Sequence, residues 1–513
     1  MHFIYTEKYT LKRENNKLVF KLISYDKIKI LYKNSSYDKF IIDSFVNIDN
    51  PNFPDLPIIR KPLLGSNLKI KLRPYRFKII NTEKIISIKK PNKRCEKVTS
   101  DYSFDDMYSE DMYYPEEIIS LKKFHNEKLI NNYILEINPF LYNPVKNLLK
   151  IITFLELELS DKVSSFDITL PMHQLYEILF LNFKNYKFNI VEHDALIITS
   201  DKYYKEALTL YNHKIAMNNR NIRIKKTSEI TNIKKYIKKM YETKNTKYVI
   251  LIGNTKDIPI LYSHSIYTHS DSLYGIFDGN INNVFISRIT GNNNLDIINQ
   301  INKIIRYEKP STIHNLNYLG IASKDGEPND CHFMKRLHKM INDSTASFES
   351  FKFNIICDHE GTKEDLIRYV NKGTNFINYL GHGSGIDWTT TGYNITDNKY
   401  LHSPVNPIII DVSCLNGNIK LNPCLAESLS TSFLSGTGSL AMYSSIPLAD
   451  WFPPLYMQYF SYHVLQFTRG ITSVGQMAYS GTMMACVMYP NNCHNMAHGF
   501  ILYGDSSMEV YTL

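Results

Sequence analysis

The chain carries two different rhythms of apolar and polar positions. Over residues 1 to about 160, short runs alternate apolar with charged residues: KLVFKLI, KIKILYK, LKIKLRPYRFKII, YILEINPF and LLKIITFLELELS. A period of two with one buried face reads as strand. These runs predict an all-β, sandwich-like module over residues 1–162, interrupted by an acidic, tyrosine-rich loop from Asp101 to Glu117. From about residue 190 the pattern changes. The wholly apolar runs KYVILIG, VFISRI, YLGIAS, FNIICD, FINYLGH, PIIIDVSC and SLAMYSS lie among segments of helical period, such as KYYKEALTLYNHKIA, LDIINQINKIIRYE and DCHFMKRLHKMIND. Continuous apolar runs are what strands covered on both faces need. The succession of strand and helix predicts a doubly wound, mostly parallel α/β sheet over 191–513. Residues 163–190 form a join containing an apolar helical patch, LYEILFLNF.

A length of 513 residues is enough for two or three domains with a large core. With 43% hydrophobic and 21% charged residues the chain is globular. The net charge of +9 is uneven, because residues 1–100 hold 22 Lys and Arg against 9 Asp and Glu. Those charges are scattered rather than gathered in a stripe. They predict a solvated basic face or attraction to an acidic cleft of the same chain, and neither a nucleic-acid nor a membrane partner. The seven cysteines are odd in number and contain no CxxC, which predicts reduced thiols and no zinc site. Neither a signal-peptide-like stretch nor an apolar run of about 18 residues is present, so a reduced cytoplasmic setting is the default expectation. There is no P-loop and no Rossmann glycine fingerprint, and no ligand set at metal spacing. No cofactor and no metal are expected.

The chemistry concentrates between Asn378 and Gly417. NYLGHGSGIDW puts His382 just past one apolar run, and PIIIDVSCLNG puts Cys414 just past another. In open α/β sheets the carboxyl ends of the strands are where ligands bind. A thiol with a pKa of about 8.5 is mostly protonated at neutral pH, and an adjoining imidazole can take its proton. Gly381, Gly383, Ser384 and Gly385 around the histidine, and Ser413 and Gly417 around the cysteine, leave room for a substrate backbone. The amides of Gly383 and Cys414 are placed to face a developing oxyanion. Each residue alone has a plainer reading, a packed small hydrophobe for the cysteine and a structural residue for the histidine.

These motifs resemble the gingipain-type cysteine peptidases, relatives of the caspases. NYLGHGSGIDW resembles the family's histidine segment and DVSCLNGNIKLNPCLAESL its cysteine segment. VILIGNTKDIPI, SDSLYGIFDGNINNVFISRITG, LGIASKDG, SSIPLADW and LYGDSSMEVYTL resemble its other landmarks in order, over about Asp194 to Leu513. The resemblance implies a caspase-like fold behind a β-rich propeptide-like domain. It implies a cysteine endopeptidase acting on protein or peptide substrates through a thioester acyl-enzyme. His382 would be the base or acid partner, Cys414 the nucleophile, and the Gly383 and Cys414 amides the oxyanion hole. Asp325 matches the acidic residue that supports the histidine, where glutamate is usual.

The same resemblance bears on specificity. Asp330 matches the acid that basic-specific members place at the start of the helix after the IAS strand, and Trp451 matches an aromatic wall of that pocket. Together they imply cleavage after Arg or Lys. Asp330 has a second reading as a helix N-cap, Trp451 one as plain core, and Glu327 is a rival acid. The amino-terminal domain is expected to dock on the catalytic cleft, with IKKPNKRCEK offering Arg94 or a lysine to the pocket. The alternative is a catalytically weak or inactive caspase-like module that acts as a protein-binding scaffold.

Overall fold

The computed structural model describes residues 8–510 except 15, 43–46, 91, 97–100, 163–164, 218–220, 310–316, 327–328, 345–351, 359–360, 422, 433–436 and 468–471. Glu327 therefore lies outside the described residues.

Its centre is a ten-stranded sheet. The order is Asn221–Lys226, Asp194–Thr199, Tyr248–Ile252, Phe285–Ile289, Phe500–Tyr503, Ala441–Ser445, Ile408–Val412, Phe376–Leu380, Asn317–Ala322 and Lys352–Cys357. Neighbours run parallel, except that Phe500–Tyr503 is antiparallel to Ala441–Ser445. The sheet is thus two parallel half-sheets of opposite direction meeting at one seam. The central strands are buried along their whole length, in keeping with their largely apolar and aromatic content.

Helices follow the predicted periods at Tyr204–Ala216, Asn294–Tyr307, Asp330–Ser344 and Lys363–Asn371. Two long helices, Pro453–Phe467 and Val474–Met488, pack against each other and were not announced by any amphipathic period. The reason is burial. Every residue of Val474–Met488 is buried, and a helix enclosed on all sides has no polar stripe to mark its repeat.

The amino-terminal module is β-rich, as expected. A six-stranded sheet and a three-stranded sheet enclose a separate core that includes Leu18, Phe20, Leu135, Ile137 and Leu155. Between the modules, Ser165–Thr169 and Lys187–Val191 pair in parallel around the helix Leu170–Leu179. Leu175, Tyr176 and Leu179 of that helix join the core of the larger module.

Buried polar contacts fasten the two modules together. Arg60 donates to the Met488 carbonyl at 2.6 Å while pairing with Glu136 and Asp49. Lys247 pairs with Glu127 and donates to the Asn283 carbonyl at 3.0 Å.

The expectation of uniformly reduced thiols is corrected. Cys331 is bonded to Cys357, and Cys486 to Cys493, leaving Cys95, Cys414 and Cys424 free. The first pairing is tertiary: Cys331, the second residue of the helix Asp330–Ser344, meets the last residue of the edge strand Lys352–Cys357. Separations of 26 and 7 residues carry no framework signature in a sequence. The ground for a reducing setting falls with them.

Candidate active site

Three neighbouring strands deliver the site. The histidine strand Phe376–Leu380 and the cysteine strand Ile408–Val412 are in register, ending with Leu380 opposite Val412. His382 and Cys414 each lie two residues beyond those ends, so equal offsets bring them to the same edge of the sheet. On the other side of the histidine strand, Ala322 is opposite Leu380, and Asp325 follows three residues later.

The loops after these strands are locked to each other. A Cβ on Gly383 would come within 2.9 Å of the Cys414 carbonyl oxygen, the Ser413 Cβ and the Asn416 Nδ2, so only glycine permits this approach. Asn416 accepts from the Gly385 amide at 3.0 Å and donates to the Asp387 carbonyl at 2.9 Å, bridging cysteine loop to histidine loop. Leu415, directly after Cys414, has φ of 67°, a left-handed conformation costly for a branched side chain. It is held by hydrogen bonds from Leu415 N to Pro447 O and from Gly417 N to Ser445 O. Below them, the buried Asp411 accepts from Ser444 Oγ at 2.8 Å, and burial raises its carboxyl to about 6.

His382 Nε2 lies 2.8 Å from Asp325 Oδ2, so the shorter acid reaches the ring. Asp325 is more than half exposed and His382 about one third. The Tyr379 hydroxyl fixes the histidine backbone by donating to its carbonyl at 2.6 Å. No hydrogen bond joins His382 to Cys414, and the imidazole Nδ1 is the nitrogen that Asp325 leaves available. Cys414 is buried. That burial pushes its thiol up to about 11, and the adjoining Cys95 thiol adds to the shift, against the opposing pull of a backbone contact at Ala449 and of the Arg94 charge.

A segment of the amino-terminal module covers the site. Lys93 bridges Asp450 in antiparallel fashion, and the Arg94 amide donates to the Ala449 carbonyl at 2.9 Å. Lys93 also pairs with the Asp450 carboxylate at 2.5 Å. The Arg94 side chain is fully buried. Its Nη1 reaches Asp330 Oδ2 at 2.7 Å, and its Nη2 reaches Asp330 Oδ1 at 3.1 Å and the Trp451 carbonyl at 3.0 Å. The guanidinium carbon stands 4.7 Å from the centroid of a Trp451 ring, and the Trp451 and His382 rings lie nearly perpendicular with centroids 5.7 Å apart. Asp330 receives a further bond from Ser323 Oγ at 2.7 Å. Asn329, not Asp330, accepts from the His332 amide at the start of the helix.

The structure thus gathers His382, Asp325, Gly383 and Cys414 at one edge, with Asp330 and Trp451 around Arg94 beside them. Sequence reasoning missed Asn416, Leu415, Ala449 and Cys95. The Asn–Gly pair after Cys414 was a turn signal that could have pointed to Asn416. No local signal marks the other three.

The family model for peptidase family C25 matches residues 191–511. Gingipain R2 of Porphyromonas gingivalis is 27% identical over 512 residues, covering 91% of this chain and 68% of the relative. The solved Arg-specific cysteine proteinase gingipain R aligns at 26% identity with a TM-score of 0.57, over 62% of this chain and 79% of that one. A complex of Porphyromonas gingivalis RgpB pro- and mature domains aligns at 27% identity with a TM-score of 0.57, over 62% and 80%. These alignments bear out the caspase-like α/β fold.

Proposed function

The chain belongs to peptidase family C25 and is a cysteine-type endopeptidase, and from that membership we propose that it is the latent form of an enzyme cleaving after arginine or lysine, with residues 1–162 as its inhibitory propeptide-like domain and 191–513 as its peptidase domain. Cys414 is the nucleophile and His382 its proton partner. In each cycle the imidazole takes the thiol proton as sulfur attacks the scissile carbonyl. The oxygen of the tetrahedral intermediate is received by the Gly383 and Cys414 amides. Collapse gives a thioester, with the proton passing to the leaving amine, and water activated by His382 then releases the acid. Asp325 orients the ring. Asp330 and Trp451 form the pocket for the basic side chain, and the forked contact at Asp330 favours Arg over Lys.

The observation that carries this reading is Arg94. An arginine of the chain itself lies between a buried carboxylate and an indole face, with its amide bonded to Ala449 in the manner of an added strand. It is held as a side chain to be recognised, but not as a bond to be cut. The Glu96 amide donates to the Lys93 carbonyl at 3.0 Å and the Lys93 amide to Glu96 Oε2 at 2.9 Å, so the chain reverses right after Arg94. A substrate must stay extended across the scissile bond. Kinship with a protein solved as a complex of pro- and mature domains supports the same reading.

The test uses chain freed of residues 1–162 by limited proteolysis. Cys414→Ala should abolish hydrolysis of a fluorogenic peptide with Arg before the scissile bond; unchanged turnover ends the proposal. Asp330→Ala should lower kcat/KM for Arg peptides by about a hundredfold or more, and far less for neutral ones. Equal losses on both would remove the specificity assignment.

A further inference from the structure

The register of the docked segment shows where the rest of a substrate would go. Lys93 bridges Asp450 in antiparallel fashion and the Arg94 amide donates to the Ala449 carbonyl, so an extended chain continuing past Arg94 heads toward Leu448 and Pro447. It cannot pair there. The Pro447 carbonyl already accepts from the Leu415 amide at 3.2 Å, and the Ser445 carbonyl from the Gly417 amide at 2.8 Å. A substrate leaving Ala449 therefore meets the cysteine loop at Leu415 and must pass over it. Leu415 is half-buried. Its Cβ lies 3.5 Å from where a Cβ on Gly385 would stand, and Leu421 Cδ1 comes nearer still, so both leucines close on the histidine loop at a bare glycine. Beside that glycine, Ile386 is 43% exposed, with Leu421 at 37% and Leu448 at 40%. Open apolar side chains are ordinary when scattered and a sign of recognition when gathered. The docked segment leaves these uncovered, because it turns back at Glu96.

We propose that Leu415, Leu421 and Ile386 form the subsite for the residue just after the scissile bond, and that this residue is a large aliphatic or aromatic one. The assignment rests on the proposed reading in which Cys414 is the nucleophile and Arg94 marks the pocket for the preceding side chain. The carbonyl under attack lies between the Gly383 and Cys414 amides, so the leaving amine belongs to a chain that lies over the next residues of both loops. Those are Ser384 to Ile386 on one side and Leu415 onward on the other. A Leu or Phe of the substrate covers three apolar neighbours and is itself covered, whereas Ser or Asp has little apolar surface of its own to bury. The subsite stands ready before substrate arrives. The Gly385 carbonyl accepts from the Leu425 amide at 2.8 Å, the Ile386 carbonyl from the Ile395 amide at 3.1 Å, and Asn416 ties the two loops together. Selection then comes from burial, without the cost of ordering a loop. Specificity has two parts, a forked charge contact before the bond and an apolar contact after it.

The test uses the full-length Arg94→Ala chain, whose pocket lacks its own arginine, and peptides identical except for the residue that follows Arg. Values of kcat/KM with Leu or Phe in that place should exceed those with Ser or Asp by about tenfold. Leu421→Glu and, made separately, Ile386→Glu should each bring the apolar and polar rates together and favour Lys in that place. Hydrolysis of an acylarginine ethyl ester, which puts only ethanol beyond the bond, should stay within about twofold in both variants and so reports that they fold. Equal rates for Leu, Phe, Ser and Asp, with ester hydrolysis intact, overturn the subsite and leave the peptidase reading standing. An apolar preference that survives both substitutions also overturns it, since its origin then lies elsewhere. Failure to cleave any Arg peptide or the ester ends the parent reading, and this one with it.

Discussion

Replacing Arg94 with alanine in the full-length chain should awaken a latent enzyme without removing the domain that silences it. The Arg94 and Asp330 side chains are both fully buried and joined by two charge-assisted bonds of 2.7 and 3.1 Å, with the Trp451 face alongside. Removing one partner of such a pair leaves the other charge without its counterion in the docked state. The cost is about 3–5 kcal/mol. Once the segment lifts, Asp330 is hydrated and that cost vanishes, so the whole of it weakens docking. The equilibrium constant for covering the pocket should therefore fall roughly a hundredfold to several thousandfold. Lys93 and Asp450 keep a pairing in which Lys93 is about one third exposed, worth no more than about 1 kcal/mol. The Arg60 and Lys247 clusters lie elsewhere and keep the module attached. The assay is the initial rate on an Arg peptide, with gel electrophoresis showing the chain still intact, for wild type, Arg94→Ala and Arg94→Lys. Lysine should fall between the two, because it keeps the charge and loses the fork. An intact Arg94→Ala chain with native melting behaviour and a rate equal to wild type would refute the reasoning.

Three further outcomes follow from the same geometry. Asp325→Asn in the freed peptidase should lower kcat by only about tenfold with KM unchanged, because its contact to His382 is well exposed and solvent-screened; an unaltered kcat would make Asp325 idle. Cys331→Ser with Cys357→Ser opens a 26-residue loop and should cost about 3.5 kcal/mol in urea unfolding, with KM for Arg peptides rising because Asp330 sits at the anchored helix end; equal midpoints would count against it. Asp411 has a folded value of about 6 against a usual 3.8, so its protonated form is favoured by folding, and that contribution is present below pH 4 and lost as pH rises through 6. Asp411→Asn should therefore gain on wild type in thermal melts from pH 4 to pH 8, by on the order of 3 kcal/mol, and a gap that stays constant across that range would remove the argument.

What was legible in the sequence and what was not divides along physical lines. His382 and Cys414 could be seen because each follows a five-residue apolar strand, and two neighbouring strands in register convert equal offsets into proximity. Asp325 and Asp330 could be placed beside them by resemblance, but not the fact that Asn329 takes the capping role and frees Asp330 to meet Arg94. The buried helices were silent for want of a polar face, and the disulfides for want of spacing. The basic excess of the first hundred residues suggested a charge partner within the chain, and one residue of that excess, Arg94, meets Asp330. The remaining step could not be read at all. A turn of four residues, closed by the Glu96 amide on the Lys93 carbonyl and by Glu96 Oε2 on the Lys93 amide, carries the chain away just after Arg94, and no motif records it. On the proposed reading, withholding of the bond after Arg94 is therefore a consequence of backbone conformation, and a variant that straightens the turn should lose it.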